Sequence, residues 1–289
     1  MSQPLVTIGI VTRNRRDLLR KAIHSALMQA WPAKEIVVID DASTDGTPAL
    51  AAEFPSVRWI RHEAVGGHMS ARNEMMLHSD GKYFCGLDDD AWFVGDDALE
   101  VAVRAMERES RWGAVGFDIL DPHRPNPVPR AEPFPVDTFI GCGHLLRLDA
   151  VRDEGGYVPM PAMYGCEEKD LSLRLFDRGM DVVLLPGVHI WHEKTIVARD
   201  PGAQHASGVC NDLAFAWLRY PAQALAWRFP AKVLSHLRFA VRRSLLGPCL
   251  RGVAQFAWAL PRLVRQRRPV SSSALKEAHR PDRRIPPRA

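Results

Sequence analysis

Two continuous apolar runs, LVTIGIV at 5–11 and EIVVID at 35–40, do most to limit what this chain can become. Both are rich in β-branched residues and lack the polar alternation of a strand with one wet face. Each therefore reads as a strand buried on both sides. Between them, Leu18, Leu19, Ala22, Ile23, Ala26 and Leu27 recur at helical spacing over 15–30, ahead of Pro32. Two buried strands joined through a helix form the unit of a parallel sheet. The alternation continues with strands over 57–62, 82–87 and 113–120 and helices over 69–79 and 96–109. The turn DASTDGT (41–47) ends at Pro48, which suits the first position of a helix. The expected class is α/β: a Rossmann-like, mainly parallel sheet with helices on both faces.

The pattern changes after residue 120. Prolines at 122, 125, 127, 129, 133 and 135 predict an extended loop over 121–135. A strand is expected at 138–148, a helix at 167–178 with Asp170 and Arg174 one turn apart, and two short strands at 181–186 and 188–193. Residues 209–268 read as amphipathic helices broken at Pro221, Pro230, Pro248 and Pro261, and 269–289 as a disordered tail rich in Pro, Arg and Ser. This predicts a body over 1–195, a helical appendage over 196–268 and a tail over 269–289.

Charge divides the same way. The net +4 conceals a C-terminal part, 196–289, with 17 Lys and Arg against 4 Asp and Glu, so the remainder carries −9. An acidic body repels nucleic-acid phosphates. Basic helices with aromatic residues suit an anionic lipid surface, as a peripheral membrane contact over 209–268. The five cysteines are scattered without a CxxC pair, which excludes a zinc ribbon and argues against a disulfide scaffold. With no signal-peptide pattern and no 18-residue apolar stretch, the chain is expected in the cytoplasm.

Acidic residues gather where such a sheet binds ligands, at the carboxyl ends of its strands. Asp40 and Asp41 end the second strand, and Asp88, Asp89 and Asp90 end the fourth. So many like charges at one edge are costly unless a cation or hydrogen-bond donors offset them. Asp88 and Asp90, two apart in an extended segment, project to one side. There they could serve Mg2+ or Mn2+, hard ions that take carboxylate and phosphate oxygens together.

In order along the chain stand VTIGIVTRNR (6–15), EIVVIDDASTDGT (35–47), GHMSARNEMM (67–76), FCGLDDDAWF (84–93), GCGHLLR (141–147) and CEEKDLSLRLFDRGMDVVLLPGVHIWHE (166–193). Together, over roughly 5–195, they resemble bacterial glycosyltransferase family 2. The resemblance implies a GT-A fold and an inverting enzyme dependent on Mn2+ or Mg2+. It would move a sugar from a nucleotide-diphosphate sugar to a hydroxyl of a glycan or lipid-linked acceptor in cell-envelope or exopolysaccharide synthesis. A cytoplasmic location at the face of the inner membrane would follow.

By the same resemblance Thr12 and Asn14 belong to the nucleotide-binding loop, Asp41 accepts from the base, and Arg72 faces the pyrophosphate. Asp88 and Asp90 match the D-x-D pair, with Asp90 the direct metal ligand and Asp89 beside it. His192 reaches the metal or diphosphate. Glu168 stands where the family has its general base, usually Asp; Glu167 is the alternative, and Lys169 departs from the pattern. Gly141 and Gly143 would admit the acceptor sugar. Two other readings remain: a sugar-1-phosphate nucleotidyltransferase, whose Gly-rich N-terminal loop is missing here, and a non-catalytic, membrane-associated sugar-nucleotide binder.

Overall fold

A computed structural model describes residues 3–163, 165–194 and 200–283. In order its elements are β1 (Val6–Thr12), α1 (Arg16–Leu27), β2 (Lys34–Asp40), α2 (Leu50–Glu53), β3 (Arg58–Arg61), α3 (His68–His78), β4 (Tyr83–Asp88), β5 (Ala91–Val94), α4 (Ala98–Arg108) and β6 (Trp112–Leu120). There follow β7 (Phe134–Pro135), β8 (Gly143–Arg147), α5 (Leu148–Asp153), α6 (Glu167–Asp177), β9 (Asp181–His192), α7 (Pro201–Arg219), α8 (Ala222–Arg242), α9 (Leu246–Gln266) and α10 (Ser272–Ala278). The chain forms two compact units: Met1–Tyr157, Gly179–Lys194 and Pro281–Ala289 make the first, Val158–Arg178 and Thr195–Arg280 the second.

The first unit holds a nine-stranded sheet in the order β3-β2-β1-β4-β8-β6-β9-β5, with β7 on β9. Strands β3, β2, β1 and β4 run parallel, whereas β8 is antiparallel to both β4 and β6. Alternate residues of β1 face opposite layers. Val6, Ile8 and Ile10 join Leu19, Ile23, Leu99 and Val103 of α1 and α4 in one buried core. Gly9 points the other way, where a β-carbon would strike the Phe84 ring and meet Met75 of α3. The expected α/β sheet with helices on both faces is the one observed.

Strand β9 departs from its sequence reading. Two strands were expected, one on each side of Gly187, yet one strand runs through. Its register against β6 jumps between Phe117↔Leu185 and Asp118↔His189, so the Pro-Gly pair sits in a bulge, where proline costs no ladder bond. The proline-rich segment is anchored as well as extended: Val128 is buried and its N–H donates to the wholly buried Asp118 at 2.8 Å.

The second unit buries Val209, Leu213, Leu218, Cys249, Phe256 and Leu263 in a core of its own. Here too prolines act differently from expectation. The helices break at Pro221 and around Ser244, but Pro230 and Pro261 lie inside α8 and α9, and Pro248 sits in the first turn of α9. A first-turn proline loses no bond, and the interior ones fall at exposed positions, where water can satisfy the freed carbonyl. Among the described residues no helix is long and apolar enough to cross a membrane. The expected body ended at 195, but Val158–Arg178 clusters with the C-terminal helices. The expected tail contains α10, with Ala274 and Leu275 buried, because its Ser271 hydroxyl caps the helix and its apolar pair has a core to enter. Residues 284–289 of that tail lie outside the described residues.

Candidate active site

Sheet register assembles the site. Thr12 is level with Asp40 across β1 and β2, and Val11 with Asp88 across β1 and β4. Leu87 pairs with Gly143, which puts Gly141 and Cys142 at the same end. His192, the last residue of β9, pairs with Ala91, and Glu193 N–H donates to the Asp90 carbonyl at 2.8 Å. Residues as far apart as 12 and 192 thus meet at one edge.

At this edge the carboxylates are each engaged. The Thr12 hydroxyl donates to Asp89 at 2.8 Å. Arg15 donates to Asp89 at 3.0 Å and to Asp90 at 2.8 Å. Arg72, buried, pairs with Asp88 and donates to the Gly141 carbonyl at 3.1 Å. His192 Nε2 lies 3.2 Å from Asp90 Oδ1. Burial pushes the Asp89 carboxyl up to about 6; the Arg15 charge works against that, and the charge of Asp90 adds to it. An ordinarily costly acidic cluster is thereby offset by two guanidiniums, a hydroxyl and an imidazole.

Ligating atoms of Asp88, Cys142 and His192 all lie within 4.8 Å of one another, a donor set chemically able to hold a divalent ion. Asp90, the metal ligand expected from the resemblance, touches this group through His192. Cys142 was not among the sequence candidates, because a lone cysteine in a strand reads as core.

Asp41 shapes the neighbouring loop. Its carboxylate accepts from Gly66 N–H at 2.8 Å, Gly67 N–H at 2.9 Å and His62 Nδ1 at 3.0 Å. Burial opposes ionisation of Asp41, but these donors outweigh it and hold the carboxyl below its ordinary value. Gly67, with φ of 85°, makes the turn into α3. His62 reaches on to Glu74 at 3.0 Å, and hydrogen bonding to Asp41 and Glu74 raises its basicity. Asn14, at φ 55°, accepts from Thr44 N–H at 2.8 Å, while its own N–H donates to Ser43 Oγ at 2.9 Å. Thr12, Asn14, Asp41, Arg72, Asp88, Asp89, Asp90 and His192 therefore all belong to the first unit.

One expectation is revised and two partners were missed. Gly143 does not open space for a sugar: a β-carbon there would press on Ile190 and Ile119, so its smallness serves packing. Arg15 and His62, passed over in the sequence, are polar partners of the acidic residues. A basic residue in TRNR was the available signal for Arg15; nothing local signalled His62.

Glu167 and Glu168 open α6 in the second unit, Glu167 buried and Glu168 half-buried. Behind them Asp170, fully buried, accepts from Arg174 at 2.9 Å and Arg219 at 2.6 Å. Its role is to tie α6 to α7.

Comparison with known proteins adds to this geometry. Residues 7–145 match the model for glycosyl transferase family 2. Over this segment the chain is similar to glycosyltransferase family 2. Over 192 residues it is 28% identical to TuaG of Bacillus subtilis, assigned as a teichuronic acid biosynthesis glycosyltransferase; the match covers 61% of this chain and 74% of TuaG. The fold resembles that of S. aureus TarS, solved with UDP-GlcNAc, at a TM-score of 0.66 and 16% identity, over 91% of this chain and 82% of that one. It also resembles the mannosyltransferase PcManGT of Pyrobaculum calidifontis, solved with GDP-Man and Mn2+, at a TM-score of 0.61 and 19% identity, over 92% and 84% of the two chains. The matched segment spans the edge just described from Thr12 through Cys142, and the likeness to the GT-A-type fold extends beyond it.

Proposed function

We propose that the chain is an inverting, metal-dependent glycosyltransferase of cell-surface polysaccharide synthesis, taking its sugar from a nucleotide-diphosphate sugar. The observation that carries this reading is the convergence of Thr12, Asp41, Arg72, Asp88–Asp90 and His192 at one sheet edge. Support for the polysaccharide context comes from the likeness to TuaG.

In this reading Asp41 accepts from the nucleotide base, with Thr12 and Asn14 in the same loop region. Asp90 and Asp88, with His192, would hold Mn2+ or Mg2+, which would supply charge stabilisation to the leaving diphosphate. Arg72 adds a fixed positive charge at that end of the sheet. Glu168 is the proposed general base, taking the proton of the acceptor hydroxyl as the oxygen attacks the anomeric carbon from the face opposite the nucleotide. One displacement inverts that centre. The acceptor is a glycan or a lipid-linked sugar at the cytoplasmic face of the membrane, where the basic helices meet anionic lipid. Their exposed Trp227 and Trp258 favour that placement.

The test is nucleotide-dependent thermal stabilisation. UDP, GDP and dTDP are each added to the full chain with and without Mn2+ or Mg2+. A shift for one nucleotide that needs the metal and disappears in Asp90→Ala is expected. No shift with any nucleotide in folded protein would remove the donor-site reading.

A further inference from the structure

Lys169, the residue that departs from the pattern around Glu168, lies in the second unit among basic side chains. Its Nζ is 3.8 Å from Asp212, a carboxylate already engaged by Lys232 at 2.7 Å to each oxygen and by His236 at 2.9 Å. It also stands 5.2 Å over the Phe215 ring, which packs edge-on against Tyr220. Burial raises the pKa of the Tyr220 hydroxyl, and the charges of Lys169 and Arg228 oppose this. Around Tyr220, donors outnumber acceptors. Arg267 donates to the Tyr220 carbonyl at 2.8 Å, with its guanidinium 5.3 Å from the Trp217 ring centre. Among the described residues of this unit, Trp217 Nε1, Arg228 Nε and Arg267 Nη1 are buried N–H groups without an acceptor. All three can only donate. Burial lowers the basicity of Arg267, and among the described residues no carboxylate pairs with Arg228 or Arg267. Buried donors without acceptors are costly, and cations gathered beyond their counter-ion repel one another, unless an anion completes the set.

We propose that Lys169 and Arg228, with Arg267 beside them, bind a phosphate or diphosphate group of the acceptor. This rests on reading the chain as a transferase with Glu168 as its base. Lys169 follows Glu168 on α6, so the anion is held at the same helix turn as the group that takes the acceptor proton. Phosphate oxygens only accept, several bonds at once, and guanidinium and ammonium groups are their ordinary partners. The acceptor is then a phosphorylated sugar, either free in solution or joined through diphosphate to a lipid.

Inorganic pyrophosphate, titrated into the full chain in the presence of EDTA, is the probe, and calorimetry reads its affinity. Binding is expected in the wild type, weakened about 10- to 100-fold in Lys169→Ala and in Arg228→Ala and restored in Lys169→Arg. It persists in Asp90→Ala, which alters the donor edge instead. The Lys169 side chain is 38% exposed, so Lys169→Ala keeps the fold, and its melting point without pyrophosphate checks this. No binding by the wild type, or unchanged affinity in Lys169→Ala and Arg228→Ala, overturns the proposal. The source of the phosphate is read with neutral vesicles carrying a polyprenyl diphosphate, set against vesicles given the same charge by phosphatidylglycerol. Preferential capture that pyrophosphate displaces identifies a lipid-linked acceptor, and equal capture a soluble sugar phosphate. The two readings fail separately. Metal-dependent nucleotide stabilisation without pyrophosphate binding leaves the transferase reading standing and this one fallen. Pyrophosphate binding without nucleotide stabilisation removes the transferase reading and the acceptor role with it.

Discussion

Asp41 and His62 show how a residue acquires its role. In the sequence Asp41 is one of two acids in a turn; in the fold it takes two backbone N–H groups of the loop before α3, and His62 bridges it to Glu74. His62 is more basic in the folded chain than in the unfolded one. Its contribution to stability is therefore fully present below its ordinary value of about 6.5 and is lost as pH rises through the raised folded value. The melting difference between wild type and His62→Gln should be largest at mildly acid pH and shrink toward alkaline pH. A difference that grows with pH would contradict the bridging role. At Glu168 the expectation is kinetic: Glu168→Gln should lower kcat by about 10²- to 10⁴-fold with nucleotide affinity unchanged. Single-turnover transfer and nucleotide titration on the same preparation decide it, and full turnover would move the base elsewhere.

Elements carry constraints that no single residue reveals. Strand β4 passes so close to β8 that a β-carbon at Gly86 would run into the His144 ring. That ring is wholly buried, and burial with the nearby Arg72 charge depresses its basicity to about 3, so it stays neutral at physiological pH. Gly86→Ala should therefore destabilise the sheet by about 1–3 kcal/mol through overpacking, read as a lowered urea midpoint. In the second unit α6 and α7 are joined by the buried Asp170, Arg174 and Arg219. Asp170→Ala leaves two guanidiniums without their carboxylate and should cost about 3–5 kcal/mol. Replacing all three by apolar residues of similar volume should cost far less, and equal losses would show that the charges, not their pairing, matter. The periodicities behind α1, α3, α4 and α6 were plain in the sequence. Short β5 and α5 were not, since each follows the preceding strand within two residues and has no turn signal or period of its own to set it apart.

At the scale of the whole molecule the C-terminal helices stand out. No Asp or Glu occurs from 213 to 276, and α8 and α9 leave Trp227, Leu234, Val241, Leu250 and Trp258 exposed among Arg238, Arg242, Arg251 and Arg262. Binding to vesicles of anionic lipid should exceed binding to neutral vesicles and weaken with salt, each arginine near the surface contributing about 1 kcal/mol. Trp258→Glu should release the chain from anionic vesicles without lowering its melting point, since that side chain is 89% exposed. Equal binding to neutral and anionic vesicles would remove the electrostatic part of the argument. Within the sequence alone lay the parallel strands, the order of the acidic turns, the resemblance to a family and the basic C-terminal part. Each depends on local periodicity or on contiguous residues, which a linear text preserves. The partners depended on the fold. Arg15 meets Asp89, Arg72 meets Asp88, and Cys142 meets His192 only because the fold sets residues 74, 16 and 50 apart side by side. The bulge that carries Pro186-Gly187 through β9 and the core that orders α10 are tertiary decisions for the same reason. Packing energy gained from distant segments outweighs the local preference for a break or a disordered end.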